Sequence, residues 1–179
     1  MSVYQQYQNQ KVKEVMLYIL SKTGDIGYFR LMKIMFCADR QNLLRWGELI
    51  TNLDYYAMKH GPVPTTIHGG LLSAYRGEAN DYSGVLCVKS NFMMVHPNRL
   101  PNLEYLSETD KEALDMAIAE LKGKNRTQIE SYLHEGVYHR ILASDDKKYS
   151  HEDIALSAGA TERQIARILY EDQLSKALS

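Results

Sequence analysis

A chain of 179 residues is long enough to bury a core without staples. Its 21 Lys+Arg balance 22 Asp+Glu, so no net field draws it to nucleic acid or to an anionic membrane. Two cysteines, Cys37 and Cys87, exclude a disulfide framework and suit a reducing compartment. The opening residues Met1-Ser2-Val3-Tyr4-Gln5-Gln6 carry neither a basic start nor an apolar segment, so the expected location is cytoplasmic.

Val12, Val15, Met16 and Ile19 recur at helical spacing and predict an amphipathic helix over about 5–22, stopped by Gly24. The next helix, about 27–46, is apolar nearly all round, with Tyr28, Phe29, Leu31, Met32, Ile34, Met35, Phe36, Cys37 and Ala38. Such a helix has to be enclosed on several sides. Arg30, Lys33, Asp39 and Arg40 cut its apolar run well short of the roughly 20 residues of a membrane span. It is therefore the expected buried centre of the fold. Asp39 shares a stripe with Met32, Phe36 and Leu43, where a carboxylate needs a cation or several N–H donors. Lys33, Arg40 and Lys59 are the cations within reach of that argument.

Residues 53–59, rich in aromatics, predict a strand that runs into His60-Gly61-Pro62-Val63-Pro64. Gly61 permits unusual backbone angles and Pro62 and Pro64 fix theirs, so 61–64 reads as a sharp, stiff corner. Pro64 opens a helix over about 64–76. Gly69-Gly70 weakens that helix by about 1 kcal/mol per glycine relative to alanine, which implies close packing there. Val85-Leu86-Cys87-Val88 and Phe92-Met93-Met94-Val95 predict a hairpin across Lys89-Ser90-Asn91. With the strand at 53–59 it would make an antiparallel sheet of about three strands. Helices capped by Ser107-x-x-Asp110, Thr127-x-x-Glu130, Ser150-x-x-Asp153 and Thr161-x-x-Gln164 complete the chain. No linker or repeat divides it, so residues 1–179 are read as one domain of the α+β class, mainly α.

The residues offer little chemistry. Cys37 lies on the apolar helix and Cys87 amid Val-Leu-Cys-Val, both settings of small buried hydrophobes. His134 and His139 are five apart with Gly136 between them, so one helix face cannot present both to a metal. There is no phosphate-binding glycine loop and no nucleophile elbow. Asp39, Lys59 and His60 can in principle meet near 61–64, either as a reactive cluster or as an ion pair bracing strand against helix. No cofactor and no metal is expected. Residues 153–168 follow helix-turn-helix spacing, with Arg163, Gln164 and Arg167 placed for a groove. Glu162, Glu171 and Asp172 would then face phosphates, and an αα-hairpin packed on the core fits the same pattern.

The run Leu31-Met32-Lys33-Ile34-Met35-Phe36-Cys37-Ala38-Asp39-Arg40, then Ile50-Thr51, then Tyr55-Tyr56-Ala57-Met58-Lys59-His60-Gly61-Pro62-Val63-Pro64, resembles the Panacea domain, the SocA-like antitoxin family of bacteria and phages. Leu106-Ser107-Glu108, Leu114-Asp115 and 127–134 are similar to its C-terminal half, and the resemblance extends over about 10–157. Cys37 stands where the family often carries tyrosine, and His68-Gly69-Gly70 replaces a more typical helical stretch. The resemblance implies a cytoplasmic, non-enzymatic antitoxin that binds a small toxin encoded beside it. It also implies an alternative, an adaptor that delivers the toxin to a Clp-type protease; the helix-turn-helix spacing within 150–170 keeps a DNA-binding regulator as another, with nucleic acid the less favoured partner and no membrane involved. Asp39, Tyr55, Tyr56, Lys59, His60 and Pro62 are the residues expected to frame the partner-binding surface or to support it.

Overall fold

In the computed structural model, which describes residues 1–89 and 92–178, the chain winds around one helix. Helix α1 (Val3–Thr23) starts at a Ser2–Gln5 capping box and ends at Gly24. A two-residue strand, β1 (Ile26–Gly27), leads directly into α2 (Tyr28–Trp46). Every residue of α2 from Leu31 to Arg40 is buried, the enclosure that a helix without a polar face demands. Helix α4 (Glu108–Leu121) lies along it, and α1 and α7 (His151–Ser157) close further sides. Buried side chains from Val12 to Ile168 form one cluster around it. Among the described residues no helix is long and apolar enough to cross a membrane.

The expected three-stranded antiparallel sheet exists, but its third strand is not the expected one. Strands β4 (Leu86–Lys89) and β5 (Met94–Pro97) pair as a hairpin, shifted by one or two residues from 85–88 and 92–95, and Ser90 and Asn91 lie outside the described residues. Val95 stands between Val88 and Ile26, so the sheet order is β1-β5-β4. Strand β2 (Tyr55–Met58) pairs instead with β3 (Gly61–Pro64), whose residues were expected to form a corner. The sharp reversal is the two-residue turn Lys59-His60, and 61–64 is extended. Pro62 and Pro64 alternate with Gly61 and Val63, so the two missing N–H groups share one side of β3 and the other pair supplies the ladder. Beyond β2, the Tyr149 amide donates to the Tyr55 carbonyl at 2.9 Å and the Ala57 amide to that of Lys147 at 2.8 Å.

Helix α3 (Thr65–Tyr75) follows Pro64 as expected. Helix α5 (Arg126–Leu133) is capped by Asn125 with Gln128, not by Thr127 with Glu130. The two candidate boxes overlap, and asparagine is the stronger cap. Glu130 is thereby left free to make contacts elsewhere. Ser107, Ser150 and Thr161 cap as expected, the last opening α8 (Glu162–Leu178), and a short α6 (Tyr138–Leu142) follows α5. One buried carboxylate had no sequence signal of its own. Glu14 in α1 accepts from Arg99 at 2.6 Å and from the Asn102 amide at 2.7 Å, tying α1 to the segment after β5.

The two adjacent glycines of α3 have different reasons to be there. A Cβ at Gly70 would overlap the ring of Tyr82, whereas a Cβ at Gly69 would meet nothing within 4 Å. Gly69→Ala should therefore raise stability by about 0.5–1 kcal/mol through helix propensity alone. Gly70→Ala should lower it despite the same propensity gain, with thermal or urea unfolding of the two variants as the check.

Candidate functional site

Asp39 is wholly buried on α2, and its carboxylate is met by the loop that follows that helix and by the first residue of β2. The Thr51 amide donates to Oδ1 at 3.0 Å, and the hydroxyls of Thr51 and Tyr55 both donate to Oδ2, the second at 2.6 Å. Burial pushes the Asp39 carboxyl above its ordinary range, and these hydrogen bonds pull against that shift. None of the expected cations is the partner, so Asp39 is satisfied by donors alone. The Tyr55 ring, held by this bond, meets Phe36 edge-on at 5.1 Å, and Phe36 meets Tyr149 the same way at 5.5 Å. The start of β2 is therefore fixed to α2 by one hydrogen-bonded and one aromatic contact.

The far end of the hairpin is fixed by Lys33, another buried ionisable group of α2. Its Nζ donates to the Pro62 carbonyl at 2.6 Å and lies 5.2 Å from the centroid of the Phe29 ring. Burial with no carboxylate in contact drives its ammonium down to about 7. Gly61, at φ +94°, makes room for this approach, since a Cβ there would stand 3.3 Å from Nζ and 3.7 Å from His134 Cδ2. The Tyr138 hydroxyl donates to the Met58 carbonyl at 2.7 Å, just before the turn. The His134 ring stacks flat on Tyr138 at 4.1 Å, and burial lowers the imidazole's pKa.

The hairpin is most exposed at its turn and at the last residue of β2. Met58, Lys59 and His60 are exposed, whereas all four residues of β3 are buried. His60 Nδ1 lies 3.0 Å from Glu130, which also accepts from Arg126 Nε at 2.9 Å. The Arg126 guanidinium in turn covers the face of Phe29 at 4.6 Å. The six residues singled out from the sequence thus divide. Asp39, Tyr55 and Pro62 are buried supports, Tyr56 is half-buried, and Lys59 and His60 form the exposed turn. Asp39 does not meet Lys59 or His60, because its partners are Ile50, Thr51 and Tyr55. Lys33, expected only as a partner for Asp39, and Glu130, expected only as part of a helix cap, belong to the same assembly, as do Arg126 and Tyr138, which carry no such expectation.

The other candidate groups are occupied structurally. Cys37 is wholly buried and burial pushes its thiol up to about 12, while Cys87 is half-buried in β4. The rings of His134 and His139 stand 6.4 Å apart at 69°, each beside Tyr138. Arg40, buried on α2, bonds to the Glu120 carboxylate, to the Tyr132 hydroxyl at 2.9 Å and to the Ser157 carbonyl at 3.3 Å. Helix α7 packs on α2 and α8 on α7, and Arg167 donates to the Leu44 carbonyl at 3.0 Å, at the C-terminal end of α2. Gln164 is engaged in the cap of its own helix.

The fold is α+β and mainly helical, with an exposed hairpin turn held from beneath. A family model described as antitoxin SocA-like, Panacea domain, matches residues 31–137, more than half of the chain, and the chain belongs to that family. No curated protein and no solved structure gives a match. The matched stretch runs from within α2 to just past α5 and so contains Lys33, Asp39, the whole β2–β3 hairpin and Glu130.

The Lys33 contact carries a pH signature. Its ordinary value is near 10.5 and its folded value about 7, so between those limits the unfolded chain binds the extra proton. Stability therefore rises with pH across that window, the folded chain escaping the burial of a charged amine. From pH 7 to 9 the wild type should gain roughly 2 kcal/mol on the Lys33→Met variant, measured by urea unfolding at each pH.

Proposed function

We propose that residues 1–179 act as one cytoplasmic domain, the antitoxin of a bacterial or phage toxin–antitoxin pair. It neutralises a small toxin by binding it directly, without a reaction of its own. The observation that carries this reading is the hairpin turn: Met58, Lys59 and His60 are exposed while the strands beneath them are tied to α2, α6 and the 147–149 segment. A surface already held in place loses little conformational entropy on binding, which favours affinity. A thioether, an ammonium and an imidazole on one turn offer apolar, charged and stacking contacts to a protein partner. Membership of the antitoxin family supports the same reading. So does the enclosure of Lys33 and Cys37, whose amine and thiol are buried against any substrate.

Under this reading, Lys59, His60 and the half-buried Tyr56 touch the partner, and Asp39, Tyr55 and Pro62 hold them in place. The test is co-expression with the short reading frame adjacent to this one. The double variant Lys59→Glu, His60→Gln, which keeps a donor for Glu130, should lose protection from the toxin while its melting temperature moves by no more than about 3 °C, as exposed substitutions do. Protection retained with a lowered melting temperature would assign these residues to the scaffold instead.

A further inference from the structure

We infer that the cleft between the C-terminal ends of α1 and α4 is a second binding surface, made for an acidic segment of a partner polypeptide that carries an apolar anchor. The inference rests on the antitoxin reading for the partner's identity, but its chemistry is read from the cleft. The cavity holds about 360 Å³ and is floored by Ile26, Ile34 and Ile118. Lys22, Arg30 and Lys122 stand around it, and no aspartate or glutamate lines it.

These three cations have no carboxylate partner among the described residues. Lys22 lies over the Tyr18 ring at 5.2 Å. Arg30 donates only to main-chain carbonyls, that of Leu121 at 3.0 Å and that of Lys124. The neighbouring acids are engaged elsewhere: Asp25 with His96, Asp115 with the Tyr18 hydroxyl and Glu120 with Arg40. A lysine at the end of each helix complements that helix's dipole, and this accounts for Lys22 and Lys122 one at a time. It does not account for an apolar hollow between them. In a chain with a net charge of −1, three cations without a carboxylate partner among the described residues, around an isoleucine floor, make a local site for an anion with an apolar body.

The shape of the cleft selects a polypeptide. A nucleic-acid backbone brings no apolar group for the floor, and a flat bilayer cannot reach into a hollow. A side chain of leucine or phenylalanine size flanked by carboxylates satisfies both the floor and the rim. A chain of side-chain contacts leads from the part of α2 beside the cleft to the hairpin turn. Arg30 adjoins Phe29, Arg126 covers the Phe29 ring, and Arg126 and His60 share Glu130. One partner can lie across both.

The full chain is titrated into fluorescein-labelled Asp-Glu-Leu-Phe-Asp-Glu, with anisotropy as readout, alongside Lys-Lys-Leu-Phe-Lys-Lys, dodecanoate displacement and a short oligothymidylate. Saturable binding of the acidic peptide is expected, weakening with salt and falling roughly tenfold in the double variant Lys22→Glu, Lys122→Glu. Both lysines are exposed, so the variant should stay folded and melt only a few degrees below the wild type, the cost of reversed charges at two helix C-termini. The single variant Ile118→Ser should weaken the same peptide without changing the salt dependence. No binding by the wild type, binding indifferent to the charge reversal, equal binding of the basic peptide, or binding of dodecanoate or the oligonucleotide alone would each overturn the inference. Toxin co-expression separates the two levels. A wild type that protects against no adjacent product removes the antitoxin reading and leaves the peptide result standing. Protection that persists in the charge-reversed variant, with unchanged peptide binding, removes the cleft alone.

Discussion

Helix α2 is enclosed on every residue from Leu31 to Arg40, yet Lys33, Asp39 and Arg40 lie within that span. A buried ionisable group without partners costs more than any single apolar contact returns, so each must draw donors or acceptors to itself. Each draws a different segment. Asp39 gathers the loop after α2 through Thr51 and Tyr55. Lys33 gathers the hairpin through the Pro62 carbonyl. Arg40 gathers α4, α5 and α7 through Glu120, Tyr132 and Ser157. Apolar packing explains why these segments collapse on α2; the three polar contacts explain where along it they stop.

The hairpin turn inherits its rigidity from this arrangement. It is short, exposed and made of residues with no fixed conformation of their own, but the strands below it are held at both ends. Rigid backing beneath a mobile type of side chain is a favourable arrangement for protein recognition, because the ordering has already occurred before the partner arrives. The same interior closes off the groups that carry intrinsic reactivity. The thiol of Cys37 and the amine of Lys33 are buried, the amine against the hairpin backbone at Gly61 and Pro62.

Local signals in the sequence were read well and non-local ones less so. Helical periodicity located α1 and α2, and the i to i+3 capping pairs at Ser107, Ser150 and Thr161 located three more helices, because both signals are complete within a few residues. Asp39 was legible as a group that had to be satisfied, but its donors lie 12 and 16 residues further along, on a loop whose course no pattern announces. Lys33 was considered only as a partner for Asp39. Six residues on a helix is roughly 240° of rotation, which places the two on different faces, and that geometry alone would have sent Lys33 looking for another acceptor. Gly61 and the fixed φ angles of Pro62 and Pro64 suit a stiff corner, but they suit an extended strand equally, and prolines on alternate positions of an outer strand leave its ladder intact. Two residues, Ile26 and Gly27, are too few to leave a strand pattern, so the third strand of the sheet was invisible until its partner was known. Lys59 and His60 stood out through composition, and Arg126 and Glu130 did not, since only the fold brings α5 beside the turn.

The proposed partner surface is the hairpin turn with the adjoining face of α5. Hydrogen–deuterium exchange of the chain alone and after co-purification with the product of the adjacent reading frame measures this directly. Slower exchange on complex formation at 56–61 and 122–130, with the buried part of α2 unchanged, is the predicted result. A complex that leaves both segments exchanging as in the free chain would contradict it.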